Sequence, residues 1–176
     1  MIVVEEILAE IFTQLPKYKD SKNKEFEIKY EWGSEKDLTL FLKTISGNKY
    51  PLIWLVQGKQ TDDVFKHSAE RNLRLILAKN SEQKTNRNPT VFKSDFKDCL
   101  NPLLENVLKC FTSSRVTSII NNGQIEVDRR ANYTEESKED KTFTIDYWNA
   151  IILDITVRFE EKSNGDPKCI NNKIFK

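Results

Sequence analysis

The sequence predicts one α+β domain, a mostly antiparallel sheet of about four to five strands packed against two or three helices. Three apolar runs and one helical pattern carry that expectation. The runs cover Tyr50-Pro51-Leu52-Ile53-Trp54-Leu55-Val56, residues 73–78 and residues 148–159. Short apolar runs bounded by polar turns read as buried strands. From Ser94 to Phe111, between the second run and the third, apolar residues recur every three or four positions, as in an amphipathic helix. The domain takes residues 1–160, and 161–176 form a polar C-terminal tail. A chain of 176 residues is long enough to bury a core without metals or disulfides.

Taken in order, Ile2, Val3, Ile7, Leu8, Ile11, Phe12 and Leu15 share one helical stripe, which Pro16 ends. Lys17 to Lys24 is a charged loop. Phe26, Ile28, Tyr30 and Trp32 alternate with Glu27, Lys29 and Glu31, which predicts a half-exposed strand broken by Gly33. Ser34 and Asp37 make a capping box with Asp in place of the usual Glu. Leu38, Phe41, Leu42 and Ile45 form the next buried stripe, with Gly47 as its C-terminal cap. The strand from Tyr50 to Val56 is apolar on both faces and so belongs in the middle of the sheet. Pro51 stands at its start, where no ladder bond is lost.

Gln57 to Lys66 is a polar loop. In the strand from His67 to Lys79, Leu73, Leu75 and Leu77 face one side, and Ile76 and Ala78 make the other partly apolar. Asn80 to Pro89 is a solvated loop. Ser94 caps the third helix, buried through Phe96, Leu100, Leu103, Leu104, Val107, Leu108 and Phe111. Pro102 kinks that helix or splits it into a short and a long piece. Val116 to Val127 is ambiguous and turns at Asn121-Asn122-Gly123, and Asp128 to Lys141 is an exposed charged loop or long hairpin end. From Phe143 to Phe159 the strand pattern returns, with Ile151, Leu153, Ile155, Val157 and Phe159 on one face. A turn at Asn164-Gly165-Asp166 falls in the tail. Leu55, Leu75, Leu104 and Leu153 are expected in the core.

The charge balance argues against a nucleic-acid or anionic-membrane partner: 28 Lys+Arg against 27 Asp+Glu give a formal net charge of +1. The three cysteines, Cys99, Cys110 and Cys169, form no CxxC pair. Cys99 and Cys110 lie roughly 16 Å apart along the helix axis, too far to bridge, which suits a reducing compartment. The acidic N-terminus lacks the basic region of a signal peptide, and no apolar run is long enough to span a bilayer. The expectation is a soluble intracellular protein.

Catalytic patterns are sparse. The single histidine, His67, excludes histidine-rich metal sites and reads as a surface or edge residue. No GxSxG occurs, and five glycines leave no phosphate-cradling loop. Asp20 with Glu27-Ile28-Lys29 superficially matches a PD-(D/E)xK metal nuclease. The spacing is short, however, and Glu27 and Lys29 share the polar face of an alternating strand. Asp62-Asp63 is a lone acidic pair in a loop and cannot surround a metal. Trp32, Trp54 and Trp148, with Tyr50 and Tyr147, read as core and interface anchors rather than stacking platforms for single strands.

The order of elements carries a family resemblance. A leading amphipathic helix precedes the Tyr50-Pro51 strand. A second strand follows, then a helix opened by Val91-Phe92 and containing Leu100-Asn101-Pro102-Leu103. Asp146-Tyr147-Trp148-Asn149-Ala150 leads into the last strand. This resembles the tail-terminator, or tail-completion, proteins of long-tailed bacteriophages, especially those of Bacteroidetes hosts. The likeness covers roughly residues 1–160 as a pattern and includes no catalytic motif. It implies a structural virion protein, assembled in the host cytoplasm, with no enzymatic activity, cofactor or metal. Its subunits would form a ring, commonly a hexamer, that caps the tail tube and joins it to the neck or connector proteins. Neither a membrane nor a specific nucleic-acid sequence is an implied partner. The candidate ring interface is Trp32, Tyr50, Trp54, Tyr133, Tyr147, Trp148, Arg129 and Arg130. The charged Lys17–Lys24 and Asp128–Lys141 segments depart from the family and leave a neighbouring neck position open. An intracellular protein-binding module and the metal nuclease are the alternative readings.

Overall fold

Two long strands form the spine of the sheet. In the computed structural model, which describes residues 2–20, 23–44, 49–81, 92–120, 123–131 and 147–161, β6 (Ser68–Ser81) and β9 (Tyr147–Glu160) run antiparallel. They pair from Ser68↔Glu160 to Ser81↔Tyr147 over all 14 residues of each. The other elements are α1 (Val4–Phe12), β1 (Tyr18–Lys19), β2 (Glu25–Phe26), β3 (Lys29–Gly33), α2 (Glu35–Thr44), β4 (Leu52–Val56) and β5 (Gln60–Asp63). After β6 come a π-helical segment π1 (Lys93–Leu100), α3 (Asn101–Ser113), β7 (Thr117–Ile119) and β8 (Glu126–Arg130). The chain is an α+β domain, as the sequence predicts.

The sheet is larger than the sequence suggests. It has seven strands, and a separate two-stranded ribbon pairs β1 with β2. The difference lies in how its lanes are filled. On one side of β6, β4 and β5 follow each other along the same edge. Between Val56↔Arg74 and Gln60↔Arg71 the β4–β5 lane advances four residues and β6 only three, so a bulge divides them. On the far side of β9, β7 and β8 share a lane in the same way, interrupted by residues 120–125. Seven strands therefore fill five lateral positions. The β3–β4 pair is parallel, with α2 as its crossover, and is the exception to the antiparallel rule.

Short polar strands escape a reading based on apolar period. β5 reads Gln-Thr-Asp-Asp, and β1 and β2 sit in the segment expected to be a charged loop and at the start of the expected long strand. Backbone pairing with a long neighbour suffices to hold such strands. Asp128, Arg129 and Arg130 belong to β8, paired antiparallel with residues 150–152 of β9, so this end of the segment is a hairpin arm, one of the two expected forms, and not a loop. Gly47, Val91, Tyr133, the turns at 121–122 and 164–166 and residues 132–141 lie outside the described residues.

Alternation of side chains along β6 and β9 divides the interior in two. On one face Leu73, Leu75, Leu77, Ile151, Leu153, Ile155, Val157 and Phe159 meet α1, π1 and α3 through Leu8, Ile11, Phe96, Leu100, Val107 and Phe111. On the other, Ile76, Ala78, Trp148, Ala150 and Ile152 meet Leu38 and Leu42 of α2. That second face turns polar beyond Ile76, where Asn72, Arg74 and Arg158 are exposed. A helix layer thus covers one face fully and α2 covers part of the other.

The start of α2 follows its sequence signal and the start of the third helix does not. Ser34 Oγ accepts the Asp37 N–H at 3.2 Å, and Asp37 Oδ2 accepts the Ser34 N–H at 2.8 Å, which completes the capping box. The Ser34 hydroxyl, which donates to Asp37 Oδ2 at 2.7 Å, and then the Ser34 N–H hold the exposed Asp37 carboxyl below its usual range. Gly33 precedes it because a Cβ there would stand 2.9 Å from Asp37 Cβ and 3.0 Å from the Trp54 ring. The third helix, in contrast, does not start with Ser94 as its cap. Phe92 already has helical angles, and no side chain caps the end. Pro102 does divide it, into π1 and α3. Asn101 N–H donates to Phe96 O, one residue beyond the α-helical partner, and this wider turn accommodates a proline ring that would clash with an α-helical preceding turn.

Leu55, Leu75, Leu104 and Leu153 are all buried. Leu104→Ala is expected to lower stability by about 2–5 kcal/mol, read from denaturant unfolding. An unchanged midpoint would remove α3 from the core.

Candidate functional site

Asp95 is the hub of the densest buried polar arrangement. The first turn of π1 directs it inward beside Phe96. Lys79 and Asn149 are cross-strand partners on the same sheet face, at the end where the apolar rows of β6 and β9 stop. Asp95 Oδ1 accepts from Lys79 Nζ at 3.0 Å and from Ser94 Oγ at 3.1 Å, and its Oδ2 accepts from Asn149 Nδ2 at 2.7 Å. The Lys79 ammonium also donates to Ser94 O at 3.1 Å and to Tyr18 OH at 3.2 Å. Its three protons therefore all have acceptors.

The electrostatics favour a clamp over a catalytic group. Burial alone would push Lys79 down, but the bond to Asp95, the neighbouring charges and the Tyr18 hydroxyl outweigh it and raise its pKa above 10.5. A nucleophilic or basic lysine needs the opposite shift. Burial likewise raises Tyr18, and it pushes the Cys99 thiol up to about 12, which makes that cysteine inert. The group ties π1 and the β1–β2 ribbon to the spine. Sequence reading passed over Asp95, Lys79 and Asn149, although an asparagine inside the apolar 148–159 run was a usable signal.

A second buried pair holds α1. Arg71 of β6 is only 4% exposed and donates through Nη1 to Glu5 Oε1 at 2.6 Å. Gln60 Nε2 donates to Ile2 O at 2.9 Å. Burial would raise Glu5, but the bond and charge of Arg71 outweigh it and lower its pKa. Burial also raises Tyr30. Arg71 Nε and Tyr30 Oη have no hydrogen-bond partner among the described residues.

The nuclease-like residues do not assemble. Asp20 Oδ1 accepts the Lys24 N–H at 2.9 Å inside the β1–β2 turn, and Glu27 pairs with Lys17 at 3.5 Å in solvent. Among the described residues no group of three or more His, Cys, Asp and Glu side chains is placed to hold a metal. No helix among them is long and apolar enough to cross a membrane. His67 is exposed, at the start of β6, where its Nδ1 lies 2.8 Å from Glu161 Oε2.

The candidate interface separates into three groups. Tyr50, Trp54 and Trp148 are buried in the core beneath α2, as core anchors would be, so only their place in the candidate interface is corrected: they are packing residues. The run they flank is apolar on both faces because helices cover both. Trp32 remains half exposed on the edge strand β3, its ring 5.8 Å from Tyr30. Arg129 and Arg130 are exposed on the opposite edge, in β8, where Arg129 donates to Asn101 Oδ1 at 3.2 Å and Arg130 to Asp128 Oδ2 at 2.7 Å. Tyr147 opens β9, and Tyr133 lies outside the described residues. The sequence reading also missed Val64 and Phe65, an exposed apolar pair at the β5–β6 turn, because they sit in a segment polar on average.

Two measurements check the clamp. Lys79→Met is expected to cost about 2–4 kcal/mol, somewhat less than a fully buried pair because the lysine is partly exposed. Lys79, Tyr18 and Cys99 all have raised folded pKa values, so the native state keeps protons that the unfolded chain loses first. Their contribution is present below about pH 9 and declines as the pH rises towards about 12. Unfolding midpoints should follow that course, with a shallower decline in Lys79→Met; identical alkaline curves would contradict the clamp.

No family model matches the chain and no curated protein matches it, so the functional reading rests on these residues and surfaces together with the resemblance.

Proposed function

We propose that the chain is a structural subunit of a tailed-phage virion. In this reading it forms a ring, of six copies in the family's usual form, at the head-proximal end of the tail. There it joins the tail tube to the neck or connector. The observation that supports this best is the position of the exposed contact residues. Trp32 lies on one edge of the sheet and Arg129 and Arg130 on the other. A cyclic ring needs two different patches on opposite sides of each copy, because its contacts are heterologous. Among the described residues both edges also offer backbone groups without a neighbouring strand, since β3 lies at one end of the strand order and β7 at the other. The Lys79–Asp95 clamp and the dispersed acids suit a subunit whose work is packing. The order of elements that resembles the tail-terminator proteins supports a place at the tail end of the particle.

Native mass spectrometry of the purified chain tests this reading. The expected result is a closed oligomer, with Arg129→Glu/Arg130→Glu weakening assembly about tenfold or more while the monomer's unfolding midpoint stays near wild type. A chain that remains monomeric at every concentration would count against the ring.

A further inference from the structure

The β5–β6 hairpin ends in an apolar tip that the described residues leave uncovered. Val64 is 77% and Phe65 97% exposed. The turn beneath them is nevertheless well fixed. Asp63 Oδ1 accepts the N–H groups of Phe65 and Lys66 at 3.1 and 3.0 Å, and Lys66 Nζ lies 3.4 Å from Asp63 Oδ2. His67, in the left-handed region at φ 49°, holds the other side through Glu161, whose N–H donates to His67 O at 2.9 Å. A partner would gain the apolar contact without having to order this loop. The surroundings are acidic. Asp62 and Glu160 are exposed, Glu161 is exposed with His67 Nδ1 against it, Asp63 is matched by Lys66 and Glu70 by Arg158.

A complementary surface lies at the other end of the same chain. Phe92 is 53% exposed and stacks on buried Phe96 at 5.0 Å. Exposed Lys93 and Lys97 flank it, with Asp98 the acid beside them. The Lys79–Asp95 bond fixes this helix start at the far end of β6, roughly 36 Å along the strand from the tip. One copy cannot bring its own tip to its own Phe92.

We propose that the Val64–Phe65 tip of one copy docks on the Phe92–Lys93–Lys97 surface of the next. This rests on the homo-oligomer reading above and names a contact within it. Charge selects the occupant: an acidic rim is repelled by an anionic membrane and is attracted to a lysine-flanked aromatic surface. The tip belongs to the half of the sheet that carries Trp32, and the receptor helix runs into Asn101, which Arg129 touches. The contact is therefore heterologous and continues from copy to copy until the ring closes.

The test is sedimentation of the full chain as wild type, Phe65→Asp and Phe92→Asp, alone and mixed. Each variant alone should self-associate about tenfold or more weakly with an unchanged unfolding midpoint, and Val64→Asp should behave like Phe65→Asp. An equimolar mixture of Phe65→Asp and Phe92→Asp should recover a discrete dimer, since each keeps one intact half. If Phe65→Asp still forms the wild-type oligomer, this contact is wrong and the ring reading stands. A wild-type chain that stays monomeric overturns both. Wild type that floats with phosphatidylcholine/phosphatidylglycerol vesicles in a Phe65-dependent way makes the tip a membrane anchor and overturns the proposal.

Discussion

The β6–β9 ladder is the constraint on which the rest of the domain depends. Its fourteen residue pairs keep one register from end to end, and strand side chains alternate strictly. The leucines at 73, 75 and 77 are thereby committed to one core and Ile76 and Ala78 to the other. A slip of one residue would exchange the two faces. Every other strand of the large sheet except β3 pairs directly with one of these two, and β3 reaches them through β4. The helices then settle on faces that the ladder has already defined.

Polar clamps near the two ends of β6 fix where those helices settle. Lys79 and Asn149 hold Asp95 and with it the start of π1, while Arg71 holds Glu5 and with it the start of α1. An apolar face alone leaves a helix free to slide or rotate by a fraction of a turn at little cost. A buried carboxylate with defined partners removes that freedom, since leaving it unpaired costs several kcal/mol. The Lys79 clamp sits where the apolar rows end and Arg71 interrupts one between Ala69 and Leu73, so they set position and leave the bulk of the stabilisation to the core.

Much of this fold was legible in the residues, for a physical reason. The long strands bury one face along most of their length and the other in part, and so carry apolar content that cannot be mistaken. Pro102 announces the break between π1 and α3, and Ser34 with Asp37 announces the start of α2. What stayed hidden depends on neighbours. β5 and β8 are polar strands held by backbone pairing to β6 and β9, and pairing leaves no mark in side-chain period. Tyr50, Trp54 and Trp148 look like surface anchors only until α2 is placed above them. The surfaces offered for assembly were less legible still. Trp32 and the two arginines were singled out by residue type, whereas their division onto opposite edges is a property of strand order. Val64 and Phe65 gained significance only once a tight hairpin lifted them clear of the body.

A rigid spine with less protected margins is a design suited to a subunit that meets its neighbours through edges and tips. The spine is most directly tested by residue-resolved amide hydrogen exchange on the purified chain. If the ladder is the organising element, amides of 73–78 in β6 and 150–155 in β9 exchange slowest, and only through global unfolding. Those of β3, β5 and β8 exchange faster, through local opening. Exchange in β6 and β9 as fast as in the edge strands would show that the ladder is not what holds the domain together.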